Sequence, residues 1–356
     1  YASSSSFGGN PSEVPALLAD VDLGFGARAV AAGGAHTCAL SEDGRVRCWG
    51  RGTFGQLGYG NSRNIGDDES PAFAGDVPVG GAVTALAAGL NPTCALLEDA
   101  SVKCWGLASA GALGYGNTVN IGSIDTPAAV GAVDIGGRAV QITAGDLHTC
   151  ARREDGAVLC WGLGTGGRLG YGNVSNIGDD ETPVSAGPIS LGQRAVDIAA
   201  GSAHTCAVLE NGSVRCWGDG QNGRLGLAST TNVGDTPSRL PDMVAAVSLG
   251  GPAQAVTAGS AHTCVRMVDG AVRCFGLGTD GRLGLGNTVS VGDNELPDAV
   301  SPIAFAGRVL GIEAGGAHTC ALLADAAYCW GQNQSGQLGL GTTADLGDNE
   351  DADLWP

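Results

Sequence analysis

The chain has 356 residues, with 62 glycines, 18 basic against 36 acidic side chains and a formal net charge of −18. A surface that acidic repels phosphate backbones, which argues against nucleic acid as a partner. No apolar run approaches the roughly 18 residues of a membrane-spanning helix, so no membrane span is expected.

From the N-terminus, residues 1–12 are expected as a flexible Ser/Gly leader, and the start at Tyr1 without methionine reads as a trimmed end. The stretch Pro15-Ala-Leu-Leu-Ala-Asp-Val-Asp-Leu-Gly24 has the pattern of a short strand. Beyond it the chain is periodic. Cysteines 38, 94, 150, 206, 264 and 320 recur at intervals of 56, 56, 56, 58 and 56 residues, and each has a second cysteine at 48, 104, 160, 216, 274 or 329.

The spacing within each pair fits a hairpin. In Cys38-Ala-Leu-Ser-Glu-Asp-Gly-Arg-Val-Arg-Cys48 the turn signal is Asp43-Gly44. A three-residue loop Glu42–Gly44, with Gly44 left-handed, pairs Ser41 with Arg45 and sets Cys38 opposite Cys48 at a non-hydrogen-bonded site. Cα atoms there lie ~4.5 Å apart, within disulfide range. The last repeat is one residue shorter, and a two-residue loop Ala324-Asp325 again opposes Cys320 and Cys329. Six disulfides are expected: Cys38 with Cys48, Cys94 with Cys104, Cys150 with Cys160, Cys206 with Cys216, Cys264 with Cys274, and Cys320 with Cys329. Paired cysteines at this density place the chain outside a reducing cytosol, extracellular or at the cell surface.

Each unit reads as a strand such as Arg138–Gly145, the cysteine hairpin, a Trp-Gly segment, a glycine turn, a polar loop ending in proline, and a short strand such as Pro188–Gly192. The expected fold is all-β: a single β-propeller over residues 13–356, six blades of four antiparallel strands. The N-terminal strand (about 14–24) closes the ring by pairing near Cys329–Gly331 or its outer neighbour.

Three repeated constellations could carry chemistry. Histidines 36, 148, 204, 262 and 318 each lie two residues before a cysteine, so a His-Cys-Cys zinc site is conceivable. Repeat 2 has Asn91-Pro92 there yet keeps Cys94 and Cys104, which favours a structural histidine. Tryptophans 49, 105, 161, 217 and 330, with Phe275, could ring a sugar site or wedge neighbouring blades. Turns such as Gly55-Gln-Leu-Gly58 open no helix and are not phosphate loops. The polar loop Asn61-Ser-Arg-Asn-Ile-Gly-Asp67-Asp68-Glu69-Ser-Pro71 returns with Asp179, Asp180 and Glu181, and in part with Asp293, Glu295, Asp348 and Glu350. Clustered carboxylates with Asn and Gly are the oxygen ligands Ca²⁺ prefers, against the alternative of solvated acidic turns.

Gly34-Ala-His36-Thr-Cys-Ala-Leu40, Asp43-Gly44-Arg-Val46, Trp49-Gly50 and Gly55-Gln-Leu-Gly58 together resemble the regulator-of-chromosome-condensation repeat. The resemblance recurs six times over about residues 25–340 and implies a β-propeller, although members usually have seven blades. It says little about activity, since the family holds a nucleotide-exchange factor, an ultraviolet photoreceptor and a secreted β-lactamase inhibitor. The photoreceptor's Gly-Trp-Arg-His-Thr is absent here. The secreted bacterial members with paired cysteines are the nearest analogues.

No nucleophile–base pair stands out and the carboxylates are repeated rather than unique. The expected function is therefore a secreted or cell-surface scaffold whose loops bind a protein or surface polysaccharide, without catalysis. The alternatives are a structural subunit of an extracellular fibre or assembly, and a propeller enzyme acting on polysaccharide.

Overall fold

The computed structural model describes residue 3 and residues 5–350; the start of the expected leader and the last six residues of the expected propeller lie outside the described residues. Its strands form six three-stranded antiparallel sheets, each in sequence order, and two one-turn α-helices, α1 (Pro71–Ala74) and α2 (Pro183–Ala186), lie between them in sequence. Two compact units divide them. The first, chiefly Ala19–Thr165 and Val174–Ile189, holds β1 (Ala27–Ala32), β2 (His36–Ser41), β3 (Val46–Gly50), β4 (Val83–Ala88), β5 (Pro92–Leu97), β6 (Val102–Gly106), β7 (Ala139–Ala144), β8 (His148–Arg153) and β9 (Val158–Gly162). The second, Ser6–Leu18, Gly166–Asn173 and Ser190 onward, holds β10 (Ala195–Ala200), β11 (His204–Leu209), β12 (Val214–Gly218), β13 (Ala253–Ala258), β14 (His262–Met267), β15 (Val272–Gly276), β16 (Gly311–Ala314), β17 (His318–Leu322) and β18 (Ala327–Gly331).

The hairpin register follows from the turn. Ser41 N donates to Arg45 O at 3.0 Å and Gly44 N to Ser41 O at 3.2 Å, with Gly44 at φ +83°. Counting inward, Leu40 faces Val46 and Cys38 faces Cys48. In the short last hairpin Leu323 N donates to Ala326 O at 2.8 Å, and Cys320 still faces Cys329. The four hairpins between them keep the ten-residue register: Cys94 faces Cys104, Cys150 faces Cys160, Cys206 faces Cys216 and Cys264 faces Cys274. Each of the six facing pairs is a disulfide, with Cα separations of 4.0–4.1 Å. These separations are somewhat shorter than the ~4.5 Å of an ordinary non-hydrogen-bonded pair, because the S–S bond draws the two strands together. In the first unit cystines share a core with Leu40, Val46, Leu113, Trp105 and Trp161.

The expected fourth strand is not built: each sheet has three strands. The segment meant to supply it touches β3, β6 and β9 through single backbone bonds, Val77 N to Val46 O, Val133 N to Val102 O and Ile189 N to Val158 O, each 2.8 Å, and meets β12 and β15 in isolated bridges, Val214 with Val247 and Val272 with Ile303. A left-handed glycine three residues after Val77, Val133 and Ile189 accounts for this: Gly80 at φ +96°, Gly136 at φ +68° and Gly192 at φ +77° turn the chain away.

The N-terminal strand is likewise absent. Pro11–Glu13 and Pro15–Leu17 form two 3₁₀ turns instead, each opened by a proline whose fixed φ suits the first helical position. Gly331, expected to neighbour that strand, exchanges bonds with Leu346 instead, at 2.8 and 3.1 Å. Nor is the leader free along its length. Gly8 and Gly9 lie so close to Gly336 that a Cβ there would stand 2.4 Å from Gly8 C and 2.5 Å from Gly9 N.

Candidate functional site

The histidines form a joint between consecutive sheets. In the first unit His36 Nε2 lies 2.7 Å from Thr93 Oγ1, on the next sheet. The threonine's single proton goes to Gln56 O at 2.9 Å, and Trp105 Nε1 donates to the same carbonyl at 3.0 Å. Thr93 must therefore accept, which places a proton on His36 Nε2. Burial pushes the His36 pKa down to about 4 and that of His262 to about 3. In the second unit His204 meets Thr263 at 2.8 Å and His262 meets Thr319 at 2.9 Å, with Thr263 donating to Arg224 O and Thr319 to Arg282 O. The ring lies flat on a glycine: a Cβ on Gly33 would stand 2.3 Å from His36 Cε1.

This geometry uses up the zinc constellation. Every sulfur is bonded to a sulfur, Cys150 to Cys160, Cys206 to Cys216 and Cys264 to Cys274 like the rest. The imidazole nitrogens just described face threonine hydroxyls. Repeat 2, with Pro92 in the histidine's place, keeps the other half of the joint, Thr149 donating to Ala112 O at 3.2 Å. Five of the six aromatic positions are also consumed, while Trp49 is half-buried. Trp105, Trp161, Trp217, Trp330 and Phe275 are fully buried and offer no stacking surface to a sugar. The glycine turns are tight because the following repeat's loop lies on them. At Gly111, φ +77°, a Cβ would stand 2.4 Å from Asp179 N.

The acidic loops start where the chain returns to the end of β3 or its counterpart, Gly50 and Ile65 exchanging bonds of 2.7 and 3.1 Å. In two copies three carboxylates gather within 4.8 Å: Asp67, Asp68 and Glu69, and Asp179, Asp180 and Glu181. The Asp68 carboxylate, hydrogen-bonded to Glu69, raises the Glu69 pKa; burial and then Asp180 raise that of Glu181. Asn176 already donates to Asp179 at 2.9 Å. Among the described residues the other copies assemble no triad. Asp293 with Glu295, and Asp348 with Glu350, lack a third carboxylate, and Glu350 accepts from Gly347 N at 3.1 Å. Asp235 is paired with Arg239 at 3.1 Å.

Beside the first triad is a cleft of ≈ 710 Å³ lined by Tyr59, Arg63, Asp68, Glu69, Phe73 and Asp76. Phe73 is 84% exposed. On the next loop Ile124, 86% exposed, stands where the first repeat has Asp68 and the third Asp180. Gly60 brings these two loops together, a Cβ there standing 3.3 Å from Ile124 O. Reading the carboxylates alone missed this apolar rim. Aligning the copies reveals it, since Ile124 breaks an otherwise polar column.

The RCC1-like domain profile matches residues 5–352. The ultraviolet-B receptor UVR8 of Arabidopsis thaliana is 34% identical over 322 residues, 89% of this chain and 67% of that protein. The human E3 ubiquitin-protein ligase HERC2 is 30% identical over 330 residues, 88% of this chain but only 6% of the ligase. Among solved structures, yeast RCC1 (Prp20) in its complex with Kap60 has a TM-score of 0.71 at 22% identity, covering 91% of this chain and 74% of that one.

Proposed function

Because the chain belongs to the RCC1-like domain family and carries its β-propeller repeat, we propose that it is a secreted or cell-surface binding scaffold that engages a protein through its loops and performs no catalysis. One observation carries this reading: exposed Phe73, in the short helix Pro71–Ala74, lines the cleft with Asp68 and Glu69, and exposed Ile124 stands on the next repeat's loop, which Gly60 approaches closely. Exposed apolar side chains set in polar surroundings are the composition of a protein-binding patch, and the net charge of −18 selects a partner with a basic rim. Yeast RCC1, of the same fold, is known bound to Kap60, which supports a protein rather than a polysaccharide as partner. Six disulfides support an oxidising compartment, and no helix among the described residues is long and apolar enough to cross a membrane.

The test is cross-linking in the native extracellular fraction, comparing the wild-type chain with a Phe73→Asp, Ile124→Asp variant. A protein captured by the first and lost by the second is expected. Equal capture by both would sink the loop assignment.

A second reading concerns Ca²⁺. Three carboxylates within 4.8 Å, with the Glu69 and Glu181 pKa values raised by their neighbours and by burial, are a set that a divalent cation would relieve.

A further inference from the structure

In its first repeat the chain twice seats a guanidinium between an aromatic ring and a carboxylate. Phe25 carries both Arg45 and Arg47, each with its guanidinium carbon 5.1 Å from the ring centroid. Arg45 Nε donates to Asp43 at 2.9 Å, and Arg47 Nε to Asp76 at 2.9 Å. The planar cation satisfies both neighbours at once. Its face lies on the negative face of the ring while its N–H edge donates to the carboxylate.

The cleft beside the first triad presents the same two neighbours without an arginine of the chain's own. Its wall supplies an exposed ring, Phe73, and the carboxylates of Asp68 and Glu69. Asp76, on the same wall, is already matched by Arg47. Among the described residues no arginine or lysine forms an ion pair with Asp67, Asp68 or Glu69, and Arg63, which also lines the cleft, forms none with any carboxylate. Three like charges within 4.8 Å repel one another, so a cation placed there relieves them. The cleft, at ≈ 710 Å³, is within the size of a small-ligand pocket and is ample for one long side chain.

The third repeat is an internal comparison. Asp179, Asp180 and Glu181 gather in the same way, but Ser185 stands in α2 where α1 has Phe73. The carboxylates recur and the ring does not.

We propose that the cleft of the first repeat receives an arginine side chain of the protein partner, its guanidinium face on Phe73 and its N–H edge on Asp68 and Glu69. This rests on the scaffold reading above and names the residue that the partner presents. Arginine fits better than lysine because its weakly hydrated plane can stack and fork at the same time, whereas an ammonium is a strongly hydrated point charge. A divalent cation on the same carboxylates would exclude it.

The experiment titrates the whole chain with acetyl-Gly-Arg-Gly-amide in the presence of chelator and follows backbone amide shifts by NMR. The lysine and citrulline peptides are titrated alongside, citrulline keeping the shape of arginine without its charge. Saturable shifts are expected at Asp68, Glu69 and Phe73, larger than at Asp180, Glu181 and Ser185, with arginine tightest, lysine weaker and citrulline silent. Phe73→Ala should weaken arginine binding about two- to fivefold, to the level of lysine, and Glu69→Gln should weaken both cations. Equal binding of arginine and lysine, indifferent to Phe73→Ala, would leave only bare charge and overturn the proposal. Shifts gathered at the third repeat, or none at either, would overturn it too. If the cross-linking experiment still captures a protein through Phe73 and Ile124 in that case, the scaffold stands and only the arginine falls. Saturable arginine binding with no protein captured keeps the site and removes the scaffold.

Discussion

His36 Nε2 points its proton at Thr93 Oγ1 from 2.7 Å, and that oxygen has already given its own proton to Gln56 O. The direction of both bonds is therefore fixed, and burial, not this bond, keeps the imidazole neutral. Thr93→Val removes the acceptor and leaves a buried N–H unpaired, at a cost of about 1–3 kcal/mol. Thr149→Val, in the joint that Pro92 leaves without a histidine donor, loses its bond to Ala112 O and a weak 3.9 Å contact with Cys94 Sγ, and costs about 1 kcal/mol. Denaturant unfolding of the two variants checks the order. A Thr149 variant as damaged as the Thr93 variant would refute the relay.

The same joints make the fold acid-sensitive. A histidine whose folded pKa is depressed binds its proton more readily when unfolded, so the stability it gives is whole above the unfolded value of 6.5. It is lost progressively as pH falls from there to the folded value, about 4 for His36 and about 3 for His262. For His36 the loss is ~3 kcal/mol. Melting curves between pH 7 and pH 3 check it. The His36→Asn variant is expected to show a shallower decline over that range.

Ala100 sits at φ +69° in the second hairpin, where the other three-residue turns have Gly44, Gly156, Gly212 and Gly270. A side chain in that region costs roughly 1–2 kcal/mol, of which glycine's extra chain entropy gives part back. Ala100→Gly is expected to stabilise by about 0.5–1 kcal/mol, read as a higher melting temperature. A lower one would mean that the Ala100 methyl contributes packing that outweighs the strain.

Calcium is expected to raise the melting point relative to chelator, with magnesium much weaker. At a hundred times Kd the gain is about 2.7 kcal/mol. The effect should vanish in a variant with Asp68→Asn and Asp180→Asn, which breaks both triads. Coincident curves in calcium and chelator would leave the loops as solvated turns.

Reduction should add about twelve hydrogens to the intact mass under denaturing conditions, one pair for each of six disulfides. A smaller difference would contradict the pairing. Each bridge closes a short local hairpin, so chain entropy bounds its contribution at roughly 3 kcal/mol.

The hairpins were legible in the sequence because cysteine spacing and turn chemistry constrain each other: Asp43-Gly44 sets the register that opposes Cys38 and Cys48, and the shortened Ala324-Asp325 loop moves Cys329 with it. The acidic triads were legible as composition. Other features were hidden for physical reasons. The role of His36 depends on Thr93, 57 residues away, which no local pattern reports. The outer strand looked plausible from Pro188-Ile-Ser-Leu-Gly192, but left-handed Gly192 turns the chain away and leaves Ile189 a single ladder bond.

Every cystine joins residues ten or, in the last repeat, nine positions apart. Each thiol therefore meets its partner almost as soon as both are synthesised, before the next repeat's thiols compete for it. Oxidation can proceed repeat by repeat along the nascent chain, with little need for an isomerase to sort distant cysteines. The same locality bears on descent. A gene duplication that adds a repeat, or a deletion that removes one, adds or removes a self-contained pair and strands no orphan thiol. Chains of this kind can change their number of repeats without relearning how to oxidise.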